Sequence, residues 1–349
     1  MSQQPNALNS MLERFSQLPW PDQQEVISHW EDPNATPLVS VFCATYNHEA
    51  WITDAIKGFV LQQTPFAFEV IVHDDASSDG TAATIRSLAE RYPKLIKPIL
   101  QTDNQRSLGN RPSKAMLPAS RGAFIALCEG DDHWIDPHKL AIQVKRLRDQ
   151  PELAFIAHNA ISLKGDKMKL FRRINQEHGF CAKDIIDCDR QFAPTASYMF
   201  KRELYATLPD WFRQAPVGDF YLELYSQKLG SGLYLPNCMS VYRQNVPGSW
   251  SEGFRADQQK KLTFLRETLR CLAKLYDDFP DQRNAIDAKI IRTRWKLIDK
   301  LLHRGDNQLL AETLRTEHIP GQAAHQWALK YTGLGGLRVS LWLARKLCS

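Results

Sequence analysis

The chain has no apolar run approaching the ~18 residues that span a bilayer. It also lacks a basic-then-apolar leader and any internal repeat. A soluble or peripheral, cytoplasmic protein is the expectation. Cysteine is sparse, with seven in 349 residues, an odd number and no pair at zinc-ligand spacing. Reduced thiols are expected, with Cys43 and Cys128 buried in strands. Neither charge dominates: 44 Lys and Arg face 39 Asp and Glu, a net charge of +5. That is too diffuse to argue for a nucleic-acid partner, and it leaves anionic substrates or an anionic membrane surface open. What remains is an ordinary globular composition, 43% hydrophobic and 24% charged. The length suits one large domain, or one domain with a helical appendage.

Residues 1–37 are polar and broken by Pro19, Pro21, Pro33 and Pro37, which predicts one or two short helices packed outside. Then strands and helices alternate. Leu38 to Ala44 reads as a strand, and Ile52, Ala55, Ile56, Phe59 and Val60 recur at helical spacing. Phe68 to His73 reads as a second strand, followed by a helix that Ser78 or Asp79 can cap and that buries Ile85, Leu88 and Tyr92. Leu95–Leu100 and Ala123–Leu127 are further strands, separated by a loop and short helix over 101–122. After Pro151 come strands at Leu153–His158, Thr195–Phe200 and Leu233–Tyr242, with 164–190 charged and irregular and Gly218-Asp219 opening a helix. The alternation predicts an α/β layer fold with a largely parallel sheet over 38–251, followed by a helical region over 252–349.

Three acidic sites fall at predicted strand ends or helix starts: Asp74/Asp75, Asp131/Asp132 and Asp219. Asp is common in caps and turns, so each alone is ambiguous. Three on one sheet edge point to chemistry, because ligands of open α/β sheets bind at the C-terminal ends of strands. Adjacent carboxylates repel unless a cation neutralises them, and a hard divalent ion held between carboxylates and substrate phosphates does so. The first pair could accept hydrogen bonds from a nucleobase or ribose, the second could hold Mg²⁺ or Mn²⁺, and the third could be a general base.

Three segments, Ser40–Asn47, Val70–Thr81 and Cys128-Glu-Gly-Asp-Asp-His-Trp134, resemble in order and spacing the motifs of glycosyltransferase family 2. The resemblance covers roughly 38–250 and implies a GT-A (Rossmann-like) fold with a mixed, mostly parallel central sheet flanked by helices. It implies a metal-dependent inverting glycosyltransferase using Mn²⁺ or Mg²⁺. The donor would be a nucleotide-diphosphate sugar, UDP-linked by preference. The acceptor would be a glycan or a lipid-linked molecule in bacterial surface polysaccharide synthesis. By position, Thr45 and Tyr46 match the turn beside the nucleobase, and Asp75 the carboxylate that accepts from the base. Asp131 matches a donor-binding position, Asp132 the metal ligand and Asp219 the catalytic base. Trp250, in Gly248-Ser249-Trp250-Ser251, matches a loop near donor phosphates and acceptor. Relatives with this signature often carry a His after the Tyr-Arg of the last strand. Here Tyr242-Arg243 leads into Gln244-Asn245, so the expectation for a contact with metal or diphosphate falls on Arg243.

Two other readings stand beside this one. Nucleotidyl transfer on sugar phosphates would need a Gly- and Lys/Arg-rich loop after the first strand, and Thr45-Tyr46-Asn47-His48 is not one. A nucleotide-sugar-binding scaffold without catalysis would not need Asp132 and Asp219. His48, His73, His133 and His138 give no paired ligand face and are expected to be packing residues rather than a zinc site. Trp134 is expected as a wall of the site. Arg111 and Lys114 either touch phosphate or lie in a solvated loop. After Glu317 the chain has no acidic residue, while Lys330, Arg338, Arg345 and Lys346 accompany Leu334, Leu337, Leu341, Trp342, Leu343 and Leu347. A basic amphipathic helix of this kind over 330–349 suits a membrane interface at the inner face; packing on the domain or in a homo-oligomer is the equal alternative.

Overall fold

The computed structural model describes residues 3–246, 257–304 and 307–316. The chain divides into two compact units, 1–256 and 257–349. The first is built on a ten-stranded sheet. Strand β1 (Val39–Thr45) is buried along almost its whole length, because Val39, Val41 and Cys43 face one side while Ser40, Phe42 and Ala44 face the other, and both faces are covered. Helix α1 (Gln3–Gln17) and helix α2 (Gln23–Ser28) precede it. Lys57 ties α1 down by donating to the carbonyls of Phe15 (3.1 Å) and Ser16 (3.0 Å) at the helix C-terminus, where a cation is favoured.

After β1, helix α3 (Ile52–Val60) leads to β2 (Phe68–Asp74), and α4 (Thr81–Arg91) leads to β3 (Ile96–Leu100). The α4 cap is Gly80, and Asp79 instead accepts from the backbone N–H of Thr81 at 3.0 Å. Helix α5 (Ser113–Ala119) then carries the chain back to β4 (Phe124–Leu127), which lies on the opposite side of β1 from β2. The order β3-β2-β1-β4 is all parallel. The direction of winding reverses between β1 and β4, so a crevice opens at their C-terminal ends. Thr45–Asn47 and Cys128–Asp132 occupy that crevice.

Beyond it come β5 (His133–Trp134), α6 (Lys139–Asp149) and β6 (Leu153–Lys164). Residues 164–190, expected to be irregular, form β7 (Lys167–Leu170), β8 (His178–Phe180) and α7 (Ala182–Asp187). Their charged sequence masks edge pairing: β7 adds to β6 and β8 to β10. The strand expected over Thr195–Phe200 is a 3₁₀ turn, Thr195–Ser197, followed by β9 (Met199–Lys201). The Ser197 N–H and hydroxyl both donate to the Pro194 carbonyl, which holds that turn. Helices α8 (Leu204–Thr207) and α9 (Asp219–Ser226) lead to β10 (Ser231–Arg243). The long ladders are parallel, including β6 with β10, while the antiparallel ones are short. β10 also pairs with β5, placing Val241 opposite His133. That pairing sinks Trp134 into the core at 0% exposure, with Nε1 donating to the Ala196 carbonyl at 2.7 Å and the ring edge-on to Phe59. Trp134 is therefore a pin beneath the crevice, not its wall.

Lys139 opens α6 with no exposed surface. Its ammonium lies 4.0 Å from the centre of the Trp134 ring and donates to Gln143 at 2.7 Å, and burial pushes it down to about 7. The unfolded lysine titrates near 10.5, so between those values only the unfolded chain holds the proton and the native state gains stability as pH rises. The penalty is full below pH 7. The wild type should therefore gain on Lys139→Met by ~1.4 kcal/mol per pH unit above neutrality, because a methionine carries no proton. Urea unfolding of both proteins at two pH values tests this; a difference that stays constant with pH refutes it.

The second unit begins with Asp257, which caps α10 (Gln258–Asp278) by accepting from the N–H groups of Gln259 (2.8 Å) and Lys260 (3.0 Å). A 3₁₀ turn leads to α11 (Arg283–Arg304), and α12 (Asn307–Thr316) follows. Along α10, Leu262, Leu269 and Leu272 recur at helical spacing and are buried, and Leu265 is half-buried. No helix among the described residues is long and apolar enough to cross a membrane. Residues 330–349 and Trp250 lie outside the described residues.

Candidate active site

The turn after β1 is fastened to the turn after β2. Asn47 takes a left-handed backbone, φ 54°, which Asn tolerates better than most residues. Its side-chain oxygen accepts from Ser78 N–H at 2.8 Å, and its own N–H donates to the Ser77 hydroxyl at 2.8 Å. The His48 N–H donates to the Thr81 hydroxyl at 2.9 Å. Tyr46 stays 39% exposed at the mouth of the crevice, one of two large hydrophobic side chains left in solvent among the described residues. Asp75 sits at the neighbouring strand end but is nearly buried. Its two oxygens accept the backbone N–H groups of Gln105 (2.6 Å) and Arg106 (3.0 Å).

The acidic turn runs on from β4 along β1: Cys128 N–H donates to Phe42 and Gly130 N–H to Ala44. Gly130 lies so close to Thr45 that a Cβ there would stand 2.6 Å from the threonine hydroxyl, so only glycine fits. One oxygen from each of Glu129, Asp131 and Asp132 lies within 4.8 Å of the others. Asp132 is buried; its Oδ1 accepts from Arg243 N–H at 2.7 Å and its Oδ2 has no hydrogen-bond partner. Thr45 Oγ1 and His48 Nδ1, both buried on the same turn, also lack one. Burial, then the charges of Asp131 and Glu129, push the Asp132 carboxyl well above the usual carboxylate range. Glu129 faces the open crevice; desolvation there, with Asp131 and Asp219, pushes its carboxyl up to about 8. His48 is held down by burial against the pull of Asp131, whose Oδ2 is 3.9 Å from Nε2. Three hard oxygen donors, one with an unsatisfied buried lone pair, fit a divalent cation.

Arg243 straps this turn from behind. Its guanidinium donates to the Asp131 carbonyl (3.0 Å) and to Asp54 (2.6 Å) and lies 4.8 Å from the Trp51 ring centre. Its side chain is 9% exposed, so it fixes the carboxylates. A cavity of about 120 Å³ is lined by Glu129, Thr195, Arg111 and Gly218 among others. Asp219, next to Gly218 at the start of α9, lies near enough to Glu129 for its charge to raise that carboxyl. It is half-buried, its Oδ1 accepts from Phe220 N–H at 2.9 Å, and burial lifts its carboxyl above the usual value. Arg111 anchors the preceding loop by donating to the carbonyls of Phe212 (3.2 Å), Ala215 (2.5 Å) and Val217 (3.2 Å). Lys114 reaches only Asn110, at 2.9 Å. Glu223, one turn further along α9, is buried and accepts from the Tyr198 hydroxyl and from Ala193 N–H, so it holds the core.

Asp131 and Asp132 thus share one turn, with Thr45 packed on it from the end of β1 and Arg243 from the end of β10. Tyr46 and Asp75 adjoin it on the strand ends, and Asp219 lies near Glu129. Sequence reading gave no role to Glu129 or Asp54, and only packing to His48. The spacing Glu-x-Asp-Asp was the available signal for Glu129; nothing local foretells the Asp54–Arg243 pair.

Comparison with known proteins bears on this arrangement. The profile of Glycosyl transferase family 2 matches residues 40–208. An uncharacterised protein of Mycobacterium tuberculosis is 36% identical over 225 residues, 64% of this chain and 63% of that protein, so the chain spans less than two thirds of its length. A Bacillus subtilis protein named for teichuronic acid biosynthesis, TuaG, is 31% identical over 102 residues, 29% of this chain and 38% of that one. The fold recurs in a mannosyltransferase of Pyrobaculum calidifontis solved with GDP-Man and Mn²⁺. That structure has a TM-score of 0.53 at 17% identity, covering 98% of this chain and 94% of the other. It recurs in S. aureus TarS solved with UDP-GlcNAc, with a TM-score of 0.52 at 14% identity, covering 88% and 91%. The GT-A architecture, the crevice at the β1/β4 switch point and the matched segment agree, and over residues 40–208 this chain is similar to glycosyltransferase family 2.

Proposed function

We propose that the chain is an inverting glycosyltransferase that moves a sugar from a nucleotide diphosphate to a hydroxyl of a glycan or lipid-linked acceptor. The observation that carries this reading is the carboxylate turn with its unsatisfied Asp132 oxygen, whose neighbour Glu129 feels the charge of Asp219 and shares a cavity lining with Gly218, the residue before Asp219. Asp132, with Asp131 and Glu129, would hold Mn²⁺ or Mg²⁺. When bound, such an ion supplies Lewis-acid stabilisation of the leaving diphosphate. Asp219, with its carboxyl lifted by burial, is a stronger base than a solvated aspartate. It takes the acceptor's proton as the oxygen attacks the anomeric carbon from the face opposite the leaving group; a single displacement inverts the centre. The name of TuaG and the family favour bacterial surface polysaccharide synthesis as the setting. A panel of nucleotide sugars with Mn²⁺, followed by nucleotide diphosphate release with and without acceptors, tests the reaction; no release with any donor counts against it.

For the donor, UDP is the preferred nucleotide. Asp75 holds the 104–106 segment and keeps a lone pair on each oxygen for a base N–H. Asp75→Ala loses both the loop and the acceptor, and should weaken UDP–Mn²⁺ binding by about tenfold or more. Calorimetry showing unchanged UDP affinity would exclude Asp75 from base binding. For the setting, residues 330–349 should place the chain on anionic vesicles, released by salt. Leu341→Glu with Trp342→Glu should abolish sedimentation with the vesicles; unaltered sedimentation makes this stretch ordinary packing.

A further inference from the structure

A guanidinium withdrawn from water has to end on acceptors, and the acceptors decide where its charge lies. The Arg243 side chain is 9% exposed and stands against the carboxylate turn, where its own backbone N–H donates to Asp132 Oδ1 at 2.7 Å. That turn carries three acidic side chains, Glu129, Asp131 and Asp132. The guanidinium bonds to none of them. Its bonds go to the Asp131 carbonyl, at 3.0 Å, and to Asp54, at 2.6 Å. Asp54 lies in the first turn of α3, three residues after Trp51, which precedes that helix. Residues three apart on a helix share a face. The guanidinium meets both, with its carbon 4.8 Å from the Trp51 ring centre. A planar cation suits an aromatic ring beside a carboxylate. Lys57, the other cation on α3, is taken by the Phe15 and Ser16 carbonyls. Asp54 is 42% exposed and stays hydrated without a partner, so the pair by itself adds little to the stability of the fold.

We propose that Asp54 is a positioning residue for the cation site: with Trp51 it draws the Arg243 guanidinium off Glu129, Asp131 and Asp132, and so leaves their oxygens to a divalent ion. This rests on the reading that the carboxylate turn holds Mn²⁺ or Mg²⁺. A guanidinium and a hard cation compete for the same lone pairs. A guanidinium bonded to one of these carboxylates removes a ligand and adds a positive charge beside the site. Without Asp54, the carboxylates of the turn that Arg243 already straps are the ion's own ligands, and the shielded guanidinium turns to them. Residues that orient metal ligands from outside the coordination sphere typically account for about ten- to a hundredfold in metal affinity. A simple strut makes a different forecast. Asp54 and Arg243 would then support the turn together, and removing either would do the same harm.

The test follows UDP binding to the full chain by calorimetry over a series of Mn²⁺ concentrations and reads the Mn²⁺ concentration at half-maximal binding. Asp54→Ala should raise that midpoint by about tenfold or more. Asp54→Glu keeps a carboxylate on the same face and should stay close to the wild type. Adding Arg243→Gln to Asp54→Ala should bring the midpoint back toward the wild type, because the competing charge is gone. Melting temperatures in chelator establish that each variant is folded. Asp54→Asn, which keeps a polar side chain in the first helical turn, carries the comparison where Asp54→Ala does not fold, with a smaller rise expected. An unmoved midpoint in Asp54→Ala overturns the proposal. So does a double variant that binds no better than Asp54→Ala, which makes the pair a strut. Wild-type UDP binding that is indifferent to Mn²⁺ overturns the cation reading itself, and this proposal with it. A Mn²⁺-dependent wild type with unmoved variants overturns this proposal alone.

Discussion

Asp219→Asn is expected to cut turnover by ~10²–10⁴ while leaving UDP–Mn²⁺ binding as it is in the wild type. The geometry makes this substitution clean. Oδ1 of Asp219 already accepts from Phe220 N–H at 2.9 Å, and the asparagine oxygen can keep that bond. The loop before it is held by Arg111 and does not depend on the charge of Asp219. What disappears is the proton acceptor. Because burial lifts the Asp219 carboxyl above 3.8, wild-type turnover should fall as pH drops through that raised value, and the residual turnover of the variant should lose that limb. Nucleotide diphosphate release with acceptor gives turnover, and calorimetry gives donor binding. Near wild-type turnover would falsify the base assignment. Equal loss of UDP binding and turnover would move Asp219 to the donor side of the crevice.

What could be read from the sequence depended on how local its cause was. Helix α3 was legible because Ile52, Ala55, Ile56, Phe59 and Val60 repeat at 3.6 residues and all are buried. The acidic turn was legible because a short apolar run leads straight into it. Asp219 was legible as the start of a helix, since Gly-Asp precedes an apolar-periodic stretch. What it faces was not, because Glu129 lies 90 positions earlier in the chain. The same limit explains Trp134: its burial comes from β10 pairing with β5, two residues of ladder joined across more than a hundred positions. Arg243 read as a metal or diphosphate contact by its place beside the position where relatives carry His, whereas its bonds to Asp54 and Asp131 belong to tertiary structure. Asp75 read as open to a base, and the loop backbone on its two oxygens had no counterpart in sequence pattern. Edge strands β7 and β8 escaped because a lysine-rich edge looks like a loop; edge charge is how sheets discourage further pairing.

The carboxylate turn should set function against stability, and Asp132→Asn exposes the trade. In the absence of a cation, Asp132 is a buried acid beside two others, with one oxygen unpartnered. Its carboxyl is raised above its unfolded value of 3.8, so the folded chain holds a proton that the unfolded chain releases. Its stability contribution is therefore present in full below that value and is lost as pH rises through the folded one. Asparagine keeps an oxygen for Arg243 N–H and replaces the unsatisfied oxygen with an N–H₂ that can donate to Asp131 or Glu129. Replacing a repelled buried charge in this way should stabilise the metal-free protein by ~1–4 kcal/mol at neutral pH, less in mild acid. The same change removes a ligand charge, and Mn²⁺-dependent UDP binding should fall by about a hundredfold with transfer falling alongside it. Thermal melts with and without Mn²⁺, read beside UDP calorimetry, separate the two effects. A variant less stable than wild type in chelator makes Asp132 a structural acid. A variant that still binds UDP–Mn²⁺ as wild type does shifts the metal to Asp131 and Glu129.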